Sequence, residues 1–252
     1  MLGFGGSNLQ AGSGTTAVAL RTIMHQIMKD PVVVFRTREE LEAPGLKHFM
    51  PFREAFNDFL YVKAVIQEAL RIHPPFALLF ERSLPASELS VSDETLLPMD
   101  TKVGIFGYTM HLDKEVFGED TDTFKPDRWL QQFEEDDGQC QARLRRMRSL
   151  YMASGQGQKD CIGVHVAELQ IYELTPALVG LLDVCMRIVV TSQPTSRSPQ
   201  SELVDPENKW RVQQRFFSLQ SNMGVRIRWR PGCSLEDLAI RTLSRFESID
   251  DL

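Results

Sequence analysis

The chain has 252 residues, 42% of them hydrophobic and 25% charged, enough for one large globular domain or two small ones. Its formal net charge of -6 and pI near 5.5 give no basis for nucleic-acid binding. No apolar run approaches the ~18 residues of a membrane span. The N-terminus lacks the basic start and apolar core of a signal peptide, so as it stands the chain reads as neither secreted nor membrane-spanning.

Residues 15–29 read as a helix with Ala17, Leu20, Met24, Ile27 and Met28 at helical spacing. Asp30-Pro31 then supplies a cap and a proline at the first helical position, opening a second helix that Pro44-Gly45 ends. A third helix over 58–72 has Asp58 as its cap and His73-Pro74-Pro75 as its stop. Strand-like pieces follow at 77–83 and 101–106, and proline, glycine and acidic residues make 118–138 irregular. A basic run from Arg143 to Arg148 leads to the loop Ser154–Gly163. Residues 162–185 read as a long helix with Val166, Leu169, Leu174, Leu178, Leu181 and Leu182 on its buried side, kinked or broken at Pro176. After a polar stretch at 191–209, Phe216–Leu219 and Val225–Trp229 suit a hairpin around Ser221–Gly224, and a short helix capped by Ser234 follows Pro231. The whole is helix-dominated with small sheets.

Four features have chemical potential. Ala11–Thr16 puts two glycines and two threonines inside a helix. Each glycine weakens a helix by ~1 kcal/mol relative to alanine, and a threonine hydroxyl can bond the carbonyl four residues back. The segment is either a groove open to a flat or diatomic ligand or a helix-packing notch. Glu68 and Arg71 share one helix face at i, i+3, as an ordinary surface pair or as a brace for irregular backbone. Arg128, in Phe124–Trp129, is placed to share Glu68.

Cys161, on a glycine-rich loop just before a helix, sits where peptide dipoles and free N–H groups favour negative charge. It reads as a nucleophile, a redox centre or a metal ligand, or as a small buried hydrophobe. A dinucleotide fingerprint starting at Gly155 fails at Asp160, and no phosphate-loop signature is present. None of the four cysteines has the C-x-x-C spacing of a zinc or thioredoxin-like site, and a chain of this size needs no disulfide framework, so the thiols read as reduced and intracellular.

Taken together and in order, these features resemble the C-terminal half of the cytochrome P-450 family of haem-thiolate monooxygenases, over residues 9–230. Tyr61–Pro75 looks like the family's E-x-x-R helix, Phe124–Trp129 like its P-E-R-F segment, and Ala11–Thr16 like its oxygen-groove motif. The resemblance implies haem b with Cys161 as axial ligand, flanked by Gly155 and Gly163. It makes Thr15 the proton-delivering residue and Glu68, Arg71 and Arg128 a structural cluster. Arg82 and Lys159 become contacts to haem propionates. It implies electrons from an NADPH-dependent flavin reductase, docked near Arg143, Arg145, Arg146 and Arg148, and a small apolar organic substrate. Trp129 and Pro176 give the chain the style of fungal members, hence secondary metabolism.

The expected fold is mainly α with small β-sheets: residues 1–230 as the C-terminal portion of the family's domain, and 231–252 as a tail. Met1 then falls inside the oxygen-binding helix, which leaves the membrane anchor and the helices roofing the substrate outside this chain. The family implies the endoplasmic reticulum membrane, whereas membrane association is not encoded in these residues. Gly14 replaces the acid that usually precedes the threonine, Ser154 the phenylalanine that shields the sulfur, and Lys159 an arginine. These departures support an alternative, a catalytically inactive remnant or haem-free interaction protein.

Overall fold

In the computed structural model of the chain, residues 2–42, 52–76, 79–84, 89–92, 95–185, 211–214, 218–221 and 226–229 are described. The main helices are α1 (Leu2–Lys29), α2 (Pro31–Glu42), α3 (Phe52–Asn57) and α4 (Leu60–Ile72). Strands β1 (Leu79–Ser83), β2 (Leu89–Ser92), β3 (Thr95–Leu97) and β4 (Lys102–Phe106) follow. Then come the one-turn helices α5 (Gly107–Met110) and α6 (Lys114–Phe117), a 3-10 turn at Pro126–Trp129, and α7 (Asp137–Leu150). Past a second 3-10 turn at Gly157–Lys159 lie α8 (Val164–Leu181) and strands β5 (Leu182–Cys185), β6 (Arg211–Gln214), β7 (Ser218–Ser221) and β8 (Arg226–Trp229). The expectation of a mainly helical fold with small sheets holds. Among the described residues no helix is long and apolar enough to cross a membrane.

Helix α4 is the centre of the packing. Nine of its thirteen residues are buried, so it has no solvent side of the usual width. Val62, Val65, Ile66 and Ala69 pack with Ile23 and Ile27 of α1, and with Ile171 and Val179 of α8. Ala64, on another side of α4, packs with Phe117, Trp129, Leu144 and Met147. The irregular chain between β4 and α7 is thereby pressed onto the same helix.

Several local expectations hold. Asp30 Oδ1 accepts from Val32 N at 2.8 Å, and Pro31 is the first residue of α2. Helix α7 lies outside those expectations; it opens with a reciprocal box in which Asp136 accepts from Gln139 N and the Gln139 side chain accepts from Asp136 N. The strand-like pieces pair as β1 with β4, antiparallel, Leu79 opposite Phe106.

Other expectations fail for tertiary reasons. Asp58 does not cap α4, because the cap position is Phe59, which offers no side-chain acceptor. Instead Glu40 of α2 accepts from Tyr61 N and Val62 N, each at 2.8 Å. The long helix stops at Leu181 and gives way to β5. Its buried side is Ile171, Tyr172, Thr175, Ala177 and Val179, while Val166, Leu169 and Leu174 are exposed. Apolar residues occur on both faces of this helix, so periodicity alone could not choose between them. Among the described residues the expected hairpin pairing is not found: β8 pairs with β5, and β7 pairs with β6. Pro44-Gly45, the polar 191–209 stretch, Ser234 and the 231–252 tail lie outside the described residues.

Replacing Glu40 by alanine strips two part-buried N–H groups of α4 of their acceptor. The loss should be about 1–3 kcal/mol of unfolding free energy, read as a lowered urea midpoint at an unchanged slope. A variant with an unaltered midpoint would show that water replaces the carboxylate at no cost.

Candidate functional site

Glu68 and Arg71 are fully buried, and Arg128 nearly so. The Glu68 carboxylate accepts five hydrogen bonds. Arg71 Nη2, Arg128 Nε and Lys125 N reach Oε1 at 2.8, 2.8 and 3.0 Å. Arg71 Nε and Trp129 Nε1 reach Oε2 at 2.9 and 2.8 Å. A buried carboxylate with this many donors is satisfied as an anion.

The arginines then spend their remaining N–H groups on carbonyls. Arg71 Nη1 donates to His111 O and Thr121 O at 2.8 and 2.7 Å, and its Nη2 to Thr123 O at 3.3 Å. Arg128 donates to Phe117 O, to Asp120 O at 3.0 Å and to Thr123 O at 3.2 Å. Asp120 Oδ1 adds an ion pair to Arg128 at 3.2 Å. The segment 111–129 has little helix or sheet to satisfy its carbonyls, and two guanidinium groups do so instead. Glu68, Arg71 and Arg128 thus meet in one buried cluster. Lys125 and Trp129 complete it, and neither had a contact role in the sequence reading.

The cysteine loop leaves α7 through Tyr151 and turns back on itself. Gly155 and Gly157 have φ of +83° and +69°, a conformation that side chains other than glycine rarely adopt. Gly155 N donates to Met152 O at 3.1 Å, and Cys161 N to Ser154 O at 3.0 Å. Val164 N donates to Cys161 O at 3.1 Å, which places Cys161 immediately ahead of the N-terminal turn of α8. A Cβ built at Gly163 would lie 3.9 Å from Cys161 Sγ, an ordinary contact. The thiol is free and exposed.

Cys161 lines a cavity of about 630 Å³. Its other walls come from Thr15, Thr16 and Ala19 of α1, from Leu70, Pro75 and Phe76, from Leu79, Phe80 and Glu81, from Ala153 to Gly155, and from Val164, Ala167 and Ile171 of α8. Volume and lining are those of a cofactor-sized pocket, mostly apolar with a few polar groups. Thr15 Oγ1 donates to Ala11 O at 2.8 Å. A Cβ at Gly12 or Gly14 would meet nothing within 4 Å, so no described residue packs into that notch.

The structure does not bring every candidate to the cavity. Arg82 is half-buried on β1 and donates to Gln156 O at 3.2 Å and to Glu81 O at 3.0 Å, clasping the cysteine loop from outside. Lys159 stands in the 3-10 turn before Cys161, and its side chain lies outside the described residues. Of the basic run, Arg143 is engaged with Glu135 at 2.8 Å and with the carbonyls of Arg128 and Leu130. Arg146 meets Glu115 at 3.4 Å, and Arg145 and Arg148 are exposed.

One residue that sequence reasoning passed over is His111. Fully buried, it has Nδ1 at 2.8 Å from Arg71 O, while Met152 N donates to its Nε2 at 2.8 Å. Its ring stacks on Tyr151 at 5.4 Å. Burial pulls its pKa down to about 4. A lone histidine before an acidic stretch carried no signal that could have found it.

Against known proteins, the family model "Cytochrome P450" matches residues 5–212. The chain is 34% identical over 239 residues to the cytochrome P-450 monooxygenase vrtE of Penicillium aethiopicum, covering 95% of this chain and 43% of that one. It is 37% identical over 183 residues to a cytochrome P-450 monooxygenase of Aspergillus terreus, covering 71% and 35%. A crystal structure of a cytochrome P-450 superposes with a TM-score of 0.65 at 22% identity, over 89% of this chain and 44% of that one. The chain thus spans less than half the length of these relatives.

Two predictions follow from the buried charges. Glu68→Ala or Arg71→Ala leaves an unpaired charge in the interior, at a cost of about 3–5 kcal/mol, and should abolish soluble folded protein. Normal yield and circular dichroism in both variants would refute the bracing role. The second concerns pH. Burial lowers His25, His73 and His111 from 6.5 to about 4, helped at His25 and His73 by the charge of Lys29. Between these values the unfolded chain takes up protons that the folded chain does not. Stability is therefore complete above about pH 6.5 and falls as pH drops toward 4, by ~1.4 kcal/mol per pH unit for each histidine. A urea midpoint that stays level from pH 7 to pH 5 would contradict this, and His73→Asn should flatten the slope.

Proposed function

The chain belongs to the cytochrome P-450 family, and from that we propose that it holds haem b through Cys161 for monooxygenation of a small apolar organic substrate. The observation that carries this reading is Cys161 itself, an exposed free thiol at the mouth of α8 that lines an apolar cavity together with Thr15. Among the described residues no group of three or more histidine, cysteine or acidic side chains could hold a bare metal ion. A single sulfur in a cofactor-sized apolar pocket would suit a metal whose other ligands a porphyrin supplies.

When bound, haem would supply the iron for dioxygen chemistry, and a thiolate at Cys161 would favour that chemistry by donating electron density. The residues of the chain do the rest. The loop of Gly155 and Gly157 presents the sulfur, and Arg82 fixes that loop through Gln156 O. Thr15 commits its one proton to Ala11 O, which leaves its oxygen lone pairs free to accept from a water in the notch beside Gly12 and Gly14. Threonine then holds a proton-bearing water in place, and the acid usual at the preceding position is absent because that residue is Gly14.

The partners are an NADPH-dependent flavin reductase and an organic substrate. Arg145 and Arg148, exposed on α7 just before the cysteine loop, are suited to an acidic face of such a reductase. The relatives in Penicillium and Aspergillus support a place in fungal secondary metabolism.

The test is haemin titration of the purified chain, followed by reduction under carbon monoxide. The red-shifted Soret band of thiolate ligation is expected, and Cys161→Ala should remove it. A folded chain that shows no such band, with Cys161→Ala behaving identically, would leave the haem-free reading. In a preparation that turns over, Thr15→Ala should keep the band and divert reducing equivalents into peroxide; unchanged coupling would remove Thr15 from proton handling.

A further inference from the structure

We infer that His111, as a neutral imidazole with its proton on Nδ1, is a positioning residue that transmits the Glu68–Arg71–Arg128 brace to the cysteine loop. The inference rests on the reading of Cys161 as the haem ligand, but its geometry stands apart from it.

The ring sits between two backbone groups of opposite kind. Met152 N is a donor, so Nε2 must accept; Arg71 O is an acceptor, so Nδ1 must donate. Only one of the three protonation forms of histidine satisfies both. The doubly protonated ring would turn an N–H toward the Met152 N–H, and the other tautomer would do so while leaving Arg71 O facing a lone pair. The groups around the ring agree. Burial and the charge of Arg71 favour the neutral form, and they outweigh the hydrogen bond to Arg71 O and the charge of Glu68, which favour the protonated one. Tyr151, stacked at 5.4 Å, adds an apolar face.

The contacts are continuous from the brace to the loop. Arg71 Nη1 holds His111 O, and the His111 ring returns to Arg71 O and continues to Met152 N. Met152 O then accepts from Gly155 N, and Ser154 O accepts from Cys161 N at 3.0 Å. Ala153, Ser154 and Gly155 form the wall of the cavity beside Cys161. Met152 is thus the point where a rigid, charge-braced interior meets the loop that presents the sulfur, and the imidazole is the fastener at that point.

Nitrogen NMR on the wild-type chain at pH 7 reads the tautomer directly. The expected signature is one protonated Nδ1 and one unprotonated Nε2; a ring with Nε2 protonated, alone or with Nδ1, overturns the inference. His111→Phe keeps the stack on Tyr151 and removes both hydrogen bonds. The Met152 amide should then exchange at least about tenfold faster. In haemin titrations the thiolate-type band should give way to that of a neutral sulfur ligand. His111→Gln, whose amide oxygen reaches further than that of asparagine, should restore part of the Met152 protection and of the band. A folded His111→Phe chain with unchanged exchange and an unchanged band sinks the proposal. If the wild type itself shows no thiolate band, the haem reading fails alone, and the tautomer and exchange measurements still decide the role of His111.

Discussion

The buried carboxylate of Glu68 is the interaction on which the rest of this architecture depends. A lone ionised carboxylate in a protein interior costs many kcal/mol. Here two arginines, one indole and one backbone N–H surround it. Two guanidinium groups against one carboxylate leave an excess positive charge, and Asp120 at 3.2 Å from Arg128 offsets it. Asp120 is itself shared with Lys125 Nζ at 3.0 Å, and the buried polar atoms of the cluster are paired, the condition under which buried charge is tolerated. Its consequence is structural order in a segment that regular secondary structure does not provide. Thr123 O, which accepts from both arginines, shows how closely the two side chains share that task.

The cysteine loop depends on this order from one side and on α8 from the other. Arg82 holds Gln156 O, His111 holds Met152 N, and the backbone of Cys161 closes on Ser154 O and on the first turn of α8. The loop itself needs two left-handed glycines, so its shape is written into Gly155 and Gly157. The thiol stays exposed although the loop around it is pinned at several points.

Much of this was legible in the residues because chemistry at short range decides it. Glu68 and Arg71 are three residues apart on one helix, and Arg128 lies in a proline-bounded turn, so their meeting could be anticipated from motif and spacing. The threonine back-bond from Thr15 to Ala11 O follows from local geometry alone. Illegible were the features that a distant element supplies. Asp58 looked like the cap of α4, yet Glu40 took the position from another helix. Val225–Trp229 alternates as a strand should, but the partner of β8 is β5, some forty residues earlier, and not its neighbour β7. Helix α8 carries leucines on a face that turns outward, where no local rule distinguishes them from the inward Ile171 and Val179.

The capping of α4 by α2 has a consequence for how the molecule assembles. The first turn of a helix is the costly one to form, and a local side-chain cap normally helps to offset it. Helix α4 has no such cap at Phe59, and the acceptor for its leading amides belongs to Glu40, 21 residues upstream of Tyr61. The nucleation of the central helix is therefore a long-range event. The helix that joins the two halves of the core has its first turn completed by a neighbour, so the order of that turn and the docking of α2 are coupled.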